Sequence, residues 1–261
     1  MFLINKKITS LVRESTCSIY IGDRGSGKST LMALTADYYS SIGYNCYSNY
    51  PTQGCYAIPT VTVCDRKKGT QKVYLDKDFL YSTDLSHSLI LIDEARTVWN
   101  ARAYKDWNEQ DEEFFNFIRK NDTFVVLATQ RYDGIDLNIR CAADYTFFIQ
   151  QSKFFKNWST IDVSRSCQVK IADRNTQIVS RGYTRGAQKV IWDIAEMPLA
   201  YCRFYRKPFY GKFDTYYTTQ NKEVRDPVPW SDVLDSFGQV AQSLSGDPVN
   251  RLNQVVQKDV L

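Results

Sequence analysis

The feature that most constrains this chain is a glycine-rich run at residues 22–30, which reads Gly-Asp-Arg-Gly-Ser-Gly-Lys-Ser-Thr. It fits the phosphate-binding pattern G-x-x-x-x-G-K-[ST] at every fixed position. A strand pattern at residues 18–21 precedes the run, and a helical pattern at residues 29–39 follows it. In that context, successive backbone N–H groups point at phosphate oxygens, and the dipole of the helix favours the same anion. The run therefore predicts a nucleotide-binding site.

Two residues of this loop have a specific expected contact. Lys28 places a compact positive charge on the β- and γ-phosphates, and the Ser29 hydroxyl is a ligand for Mg²⁺. The alternative is a Gly/Ser-rich turn that happens to carry a lysine, and the flanking strand and helix argue against it. We therefore expect ATP and Mg²⁺ as ligands. The predicted nucleotide-binding residues are Gly22, Asp23, Arg24, Gly25, Ser26, Gly27, Lys28, Ser29 and Thr30.

The second half of an ATP site is indicated by two acidic residues after a buried strand. Residues 88–92 read Ser-Leu-Ile-Leu-Ile, which is typical of a strand buried on both faces of a parallel sheet. Asp93 at its carboxyl end is expected to bind Mg²⁺, and Glu94 to orient and deprotonate the attacking water. Gln130, after a further strand at 123–128, is expected to reach the γ-phosphate or its water. An acidic turn after a core strand is common, so this assignment depends on the intact phosphate loop.

The alternation of strands and helices predicts an α/β fold with a RecA-like P-loop NTPase core. We expect a mostly parallel sheet with helices on both faces, a β-rich C-terminal extension and terminal helices. The predicted parts are an ATPase core at 1–150, a basic and aromatic-rich strand extension at 151–222 that completes the core, and a Pro-containing linker with a helical tail at 223–261. A hairpin is expected at residues 57–75.

The composition excludes several classes of protein. The chain has 7 scattered cysteines, no C-x-x-C pair and 1 histidine, so reduced thiols are expected and a zinc site is disfavoured. No apolar stretch approaches the roughly 20 residues that span a bilayer, and the apolar N-terminal run is too short for a signal peptide. These features favour a cytoplasmic protein.

The region around the acidic pair resembles a known family. Residues 89–95, followed by Val-Trp-Asn-Ala-Arg at 98–102, resemble the Walker B region of Zot-like proteins, the filamentous-phage assembly ATPases. Asn49 at the end of the second predicted strand also suits that family. The segments 117–120 and 127–131 resemble the FtsK–HerA superfamily of DNA pumps, which contains Zot.

The resemblance covers residues 15–150 and implies a ring-forming ATPase, commonly a hexamer, that moves DNA during virus assembly or genome packaging. In such rings an arginine from one subunit completes the site of its neighbour. Arg119 matches that position best, and Arg140, Arg102 and Arg96 are competitors. Alternatively, Arg119 only stabilises the C-terminal end of its helix dipole.

Zot-like assembly proteins usually carry a transmembrane segment after the ATPase domain, and this sequence contains no such stretch. We therefore expect an ATPase of the host cytoplasm that loads a genome into a preformed capsid, in contact with capsid or assembly proteins at a virion vertex. The alternative is a nucleotide-gated oligomeric scaffold that does not move DNA. A small-molecule kinase is disfavoured because no lid or acceptor pocket is evident.

DNA contacts are expected in two places. Arg102 and Lys105 lie beside aromatic residues in the segment 97–108, which is a candidate pore loop. Residues 151–222 hold 13 Lys and Arg against 5 Asp and Glu, interleaved with aromatic residues, a pattern that suits single-stranded nucleic acid. The same residues also fit half-buried strands with a core face and a solvated face.

Overall fold

The computed structural model describes residues 6–65, 70–102, 107–152, 154–168, 170–172, 182–185, 188–191, 199–214 and 224–234. Its centre is an 8-stranded sheet with the strand order β13-β9-β8-β1-β7-β6-β2-β3. The six strands from β8 to β3 in this order run parallel, and β9 and β13 complete the sheet by antiparallel pairing. The strands of this sheet are β1 (Cys17–Ile21), β2 (Asn45–Ser48), β3 (Tyr56–Ala57), β6 (Ser88–Ile92), β7 (Thr123–Thr129), β8 (Tyr145–Gln151), β9 (Trp158–Arg165) and β13 (Ala200–Tyr205).

Helices cover both faces of the sheet, because the parallel strands β1 and β6 are apolar on both sides. One core forms between the sheet and helices α1 and α2. The opposite core forms against α3, α4 and α5. The helices are α1 (Lys6–Glu14), α2 (Lys28–Ser41), α3 (Lys77–Ser82), α4 (Glu109–Phe117) and α5 (Leu137–Ala142). The predicted α/β fold with a RecA-like, mostly parallel core is therefore confirmed.

Two smaller β units accompany the main sheet. The predicted hairpin is confirmed as β4 (Thr60–Asp65) paired antiparallel with β5 (Thr70–Leu75). A 3-stranded sheet has the order β10-β12-β11, with strands β10 (Lys170–Ala172), β11 (Gly182–Arg185) and β12 (Gln188–Ile191). Within the described ranges, every helix is too short or too polar to span a bilayer.

The three-part division of the chain remains a prediction, although the strands bear on it. The strands β9 and β13, from the predicted extension, continue the main sheet rather than forming a separate layer. Residues 230–234, within the predicted linker and helical tail, are helical, and residues 235–261 lie outside the described residues. Trp230 packs into the core beside α2 and its indole Nε1 donates a hydrogen bond to Ser48 Oγ at 2.8 Å.

A buried carboxylate ties the helices of one face to the segment after β6. The Asp111 side chain on α4 is fully buried and accepts hydrogen bonds from Trp99 Nε1 at 2.6 Å and Lys77 Nζ at 3.0 Å. The Tyr81 hydroxyl donates a further bond to Asp111. Desolvation by burial, followed by this hydrogen bond, raises the pKa of Tyr81. Asn108 and Asp111 also form a reciprocal capping box at the start of α4.

We expect Asp111→Ala to lower the free energy of unfolding by about 3–5 kcal/mol, because it leaves the Lys77 ammonium and the Trp99 indole without their buried partner. Urea denaturation measures the change. Glu112→Ala, one residue along the same helix and exposed, is the matched control and should change stability by less than about 0.5 kcal/mol. Equal effects of the two substitutions would show that Asp111 has no special role.

Candidate active site

The phosphate loop leaves β1 at its carboxyl end and enters α2 at Lys28. Gly27 stands before the helix in a left-handed conformation, with φ of 109° and ψ of 20°. A side chain here would be strained by that φ, and its Cβ would lie 2.7 Å from Arg206 Cδ and 3.1 Å from Ser159 Oγ. Glycine is therefore required at this position both by the turn and by the close approach of β9 and the segment after β13.

The side chains of the loop divide into an exposed and a buried group. Asp23 and Arg24 lie at the exposed turn, whereas Ser26, Lys28 and Thr30 are buried. Lys28 folds back over the loop, where its Nζ donates hydrogen bonds to the carbonyl oxygens of Gly22 at 2.9 Å and Asp23 at 3.1 Å. The ammonium group is thus positioned within the curve of the loop.

Asp93 faces the loop from the end of β6. The Ser29 hydroxyl donates to Asp93 Oδ2 at 3.4 Å, so the two predicted Mg²⁺ ligands lie together. Asn49 holds the backbone on both sides of the same residue, because its Oδ1 accepts from Asp93 N at 2.8 Å and its Nδ2 donates to Asp93 O at 2.9 Å. Desolvation by burial raises the pKa of Asp93, against the opposing hydrogen bond from Glu94 N and the charge of Lys28.

Glu94 and Gln130 meet because β7 lies between β1 and β6 in the sheet. The backbone of Glu94 is left-handed, with φ of 47° and ψ of 47°, where it precedes the 3₁₀ turn Ala95–Thr97. This turn aims the carboxylate towards the end of β7, and the Gln130 amide Nε2 donates a hydrogen bond to Glu94 Oε1. A non-glycine residue in this conformation is strained, so its neighbours must hold it in place.

Arg119 lies far from the phosphate loop of its own chain. It is exposed in the turn between α4 and β7. The 7 residues of β7 separate this turn from Gln130, which corresponds to about 20 Å of strand. The assignment of Arg119 as an arginine that completes the site of a neighbouring subunit stays a prediction.

The other predicted residues are scattered. Arg102 is exposed, and Lys105 lies outside the described residues. Among the competing arginines, Arg96 is exposed and its side chain lies 3.5 Å from the position of a Cβ on Gly134. The Arg140 guanidinium lies over the Tyr132 ring, 5.3 Å from its centroid. The structure does not bring these arginines together with the phosphate loop.

Arg206 is the site residue that sequence reasoning missed. Its Nη1 donates a hydrogen bond to Gly25 O at 2.5 Å, across 181 residues of chain. In the sequence it was only one member of a basic run before Pro208, with no motif linking it to the loop. Its proximity arises because β13 pairs with β9, whose Ser159 hydroxyl in turn donates to Ser26 O.

The comparisons with known proteins agree with the motifs. The family described as zonular occludens toxin (Zot) matches residues 57–184. None of the curated proteins compared with the chain matches it. The resemblance of this chain to Zot-like P-loop proteins is therefore confirmed.

Among the solved structures similar to this chain is the N-terminal domain of zonular occludens toxin from Neisseria meningitidis. It is 20% identical, the match covers 58% of this chain and 84% of that chain, and the TM-score is 0.44. The genome packaging NTPase B204 from Sulfolobus turreted icosahedral virus 2, in complex with ATP-gammaS, is 11% identical over 56% of this chain and 91% of that chain, with a TM-score of 0.38. A further structure is described as B204, the DNA-packaging ATPase from Sulfolobus Turreted Icosahedral Virus. It is 14% identical, the match covers 56% of this chain and 91% of that chain, and the TM-score is 0.40.

The raised pKa of Asp93 has a consequence for the nucleotide-free protein. The native state binds a proton on the Asp93 carboxyl group more tightly than the unfolded chain does. Protonated Asp93 therefore stabilises the fold fully at a pH below the ordinary pKa of aspartate, and this stabilisation is lost as the pH rises through the native pKa. At neutral pH the buried charge is a net cost. We therefore expect Asp93→Asn to raise the Tm at pH 7, and the gain to shrink as the pH is lowered.

Thermal unfolding of the nucleotide-free protein between pH 5 and 8 measures this effect. Asp84→Asn is the control, because the Ser86 hydroxyl and backbone N–H lower the pKa of exposed Asp84, and its substitution should not raise the Tm. A Tm of Asp93→Asn that equals the wild-type value at every pH would contradict the prediction.

Proposed function

We propose that this Zot-like protein is an ATPase of viral genome packaging or assembly, and that it couples ATP hydrolysis to the translocation of DNA. The observation that carries the proposal is the meeting of three strand ends at one edge of the sheet. The phosphate loop follows β1, Gln130 follows β7, and Asp93 and Glu94 follow β6. A loop that only bound an anion would need neither the acidic pair nor the glutamine.

The residues at this edge fit a nucleotide with Mg²⁺. The N-terminal end of α2 and the backbone of the loop offer N–H donors to phosphates, and Lys28 adds a positive charge. Ser29 Oγ and Asp93 Oδ2, 3.4 Å apart, are oxygen donors of the kind that Mg²⁺ prefers. A Mg²⁺ ion held by Ser29 and Asp93 would supply positive charge to neutralise the phosphates during hydrolysis.

The chain's own residues then have distinct roles in hydrolysis. Lys28 exchanges its bonds to the loop carbonyls for bonds to phosphate oxygens, which costs little because the ammonium group is already in place. Glu94 accepts a proton from the attacking water. Its Oε1 accepts a hydrogen bond from Gln130 Nε2. Gln130 must therefore turn away or share the water before Glu94 acts as a base.

The proposed partners of this chain, which are DNA and further copies of the same chain, are inferred from the family match and from the distribution of charge. Basic residues in the C-terminal half, together with Arg102 and Lys105, are the proposed contacts with DNA. We propose a homo-oligomeric ring, commonly a hexamer in this superfamily, in the host cytoplasm near a virion vertex. The position of Arg119, remote from its own phosphate loop, supports its proposed action on the nucleotide of a neighbour.

We expect Lys28→Ala to abolish nucleotide binding or turnover, and Glu94→Gln to bind ATP but to lower kcat by about 10²–10⁴-fold, since only the proton acceptor is lost. Steady-state ATP hydrolysis, with and without single- or double-stranded DNA, measures both. Stimulation by one form of DNA is expected. Normal turnover in Glu94→Gln would contradict the role of that residue.

The alternative function, a nucleotide-gated scaffold, predicts a different set of results. Turnover would then be unaffected by DNA, while ATP would change the oligomeric state measured by light scattering. Translocation itself is tested by displacement of a labelled strand or a roadblock from DNA. If DNA stimulates ATP hydrolysis but neither the labelled strand nor the roadblock is displaced, the ATPase activity stands and only the proposed translocation is rejected.

We expect Arg119→Ala to lower turnover by about 10³-fold or more if it completes the site of a neighbouring subunit. Mixed oligomers give the decisive measurement: adding Glu94→Gln subunits to Arg119→Ala subunits should restore part of the activity, because an intact arginine then meets an intact base. The matched comparison replaces Arg119→Ala by Arg140→Ala in this mixture, and so tests a competing arginine in the same way. A variant of Arg119 with wild-type turnover would contradict the assignment.

A further inference from the structure

A cavity of about 340 Å³ lies beside the phosphate loop, on the side facing the end of β13. Residues 28–30 at the start of α2 form one wall. The other wall comes from Arg206, Tyr210 and Phe213, which follow β13 in the chain. The cavity is therefore bounded both by the nucleotide-binding motif and by a segment to which no motif assigns a role.

Arg206 is the charged side chain of the second wall, and it is only 6% exposed. Two of its nitrogens donate to backbone carbonyl oxygens, Nη1 to Gly25 at 2.5 Å and Nη2 to Lys156. Its Nε is buried and has no hydrogen-bond partner among the described residues. The guanidinium thus bridges the phosphate loop and the β8–β9 hairpin while part of its donor capacity stays unused.

The charge of Arg206 has no carboxylate partner within 4.0 Å in the described part of the chain. Buried charges are normally paired, because an unpaired one loses its hydration without compensation. Carbonyl oxygens compensate only in part. An anion would compensate the rest of the charge on Arg206, and the forked guanidinium group matches the geometry of phosphate oxygens.

We propose that Arg206 is a second phosphate-binding cation, which contacts the nucleotide in the same subunit from the side of the loop opposite Asp93. This inference rests on the proposed nucleotide site. Arg206 lies against Gly25 and Gly27, and the backbone of such a loop cradles the α- and β-phosphates. Arg206 therefore contacts these two phosphates, whereas Glu94 and Gln130 act at the γ-phosphate. It sets affinity for the diphosphate and triphosphate alike.

A purely structural role is the competing explanation, in which Arg206 only joins Gly25 to Lys156. The structural explanation and the proposed phosphate contact make different predictions for pyrophosphate, a ligand that consists of phosphate groups alone. A structural bridge sets the Tm of the ligand-free protein and leaves binding by the intact loop unchanged. A phosphate contact sets the increase in Tm that pyrophosphate produces.

The test compares Arg206→Gln and Arg206→Lys with Arg13→Gln, a substitution of an exposed arginine on α1 whose guanidinium lies 5.9 Å from the centroid of the Tyr38 ring. Fluorescence titration gives the Kd of a labelled ADP and a labelled ATP analogue, and thermal unfolding gives the Tm with and without pyrophosphate. We expect Arg206→Gln to weaken both nucleotides by about 10- to 100-fold with their ratio unchanged, and to reduce the pyrophosphate shift. Arg206→Lys should restore part of both the affinity and the pyrophosphate shift, and Arg13→Gln should match the wild type in both.

Three outcomes overturn the inference. They are equal affinities in Arg206→Gln and wild type, loss of affinity for the triphosphate only, and a lowered ligand-free Tm with an unchanged pyrophosphate shift. Wild-type protein that binds nucleotide through Arg206 but hydrolyses none would reject the proposed ATPase and leave this inference intact. Wild-type protein that binds neither nucleotide nor pyrophosphate would reject both.

Discussion

The parallel hydrogen bonding of β1, β7 and β6 is the constraint on which the rest of the structure depends. In this register Ile21 pairs with Thr129, and Ile92 pairs with Leu127, so all three strands end at the same edge. The phosphate loop, Gln130 and the acidic pair are brought together by that alignment alone. A shift of one residue in β6 would turn its buried side chains to the opposite face and displace Asp93 from Ser29. The pairing of these strands therefore also fixes the geometry of the site.

Several charges at this edge are buried, which is costly unless polar groups surround them. Lys28 is held by the carbonyl oxygens of its own loop, and Arg206 by those of Gly25 and Lys156. The carboxylate of Asp93 is held near both the lysine and the serine hydroxyl. The chain thus holds these positive groups in place with neutral oxygens, as the proposed phosphate site requires. Preorganisation of this kind reduces the reorganisation needed when the anion binds.

A rigid support surrounds the strained turn at Glu94. On one side Asn49 holds both backbone groups of the preceding residue. On the other side the chain passes to Trp99, whose indole is fixed by the buried carboxylate of Asp111. A left-handed glutamate is stable only where its neighbours determine its position. The same support directs its side chain towards Gln130, so the strain and the hydrogen bond have one structural cause.

The sequence by itself determined the phosphate loop, the strands of the core and the acidic pair, because these depend on local patterns. Glycine at fixed spacing, an aliphatic run and a following acidic residue are visible over a few positions. The order of the strands around β7, the clamp by Asn49 and the approach of Arg206 were decided only by the tertiary structure. Each joins residues far apart in the chain, and Arg206 meets Gly25 across 181 positions. No local propensity encodes such a contact, because it depends on how β9 and β13 pair at the edge of the finished sheet.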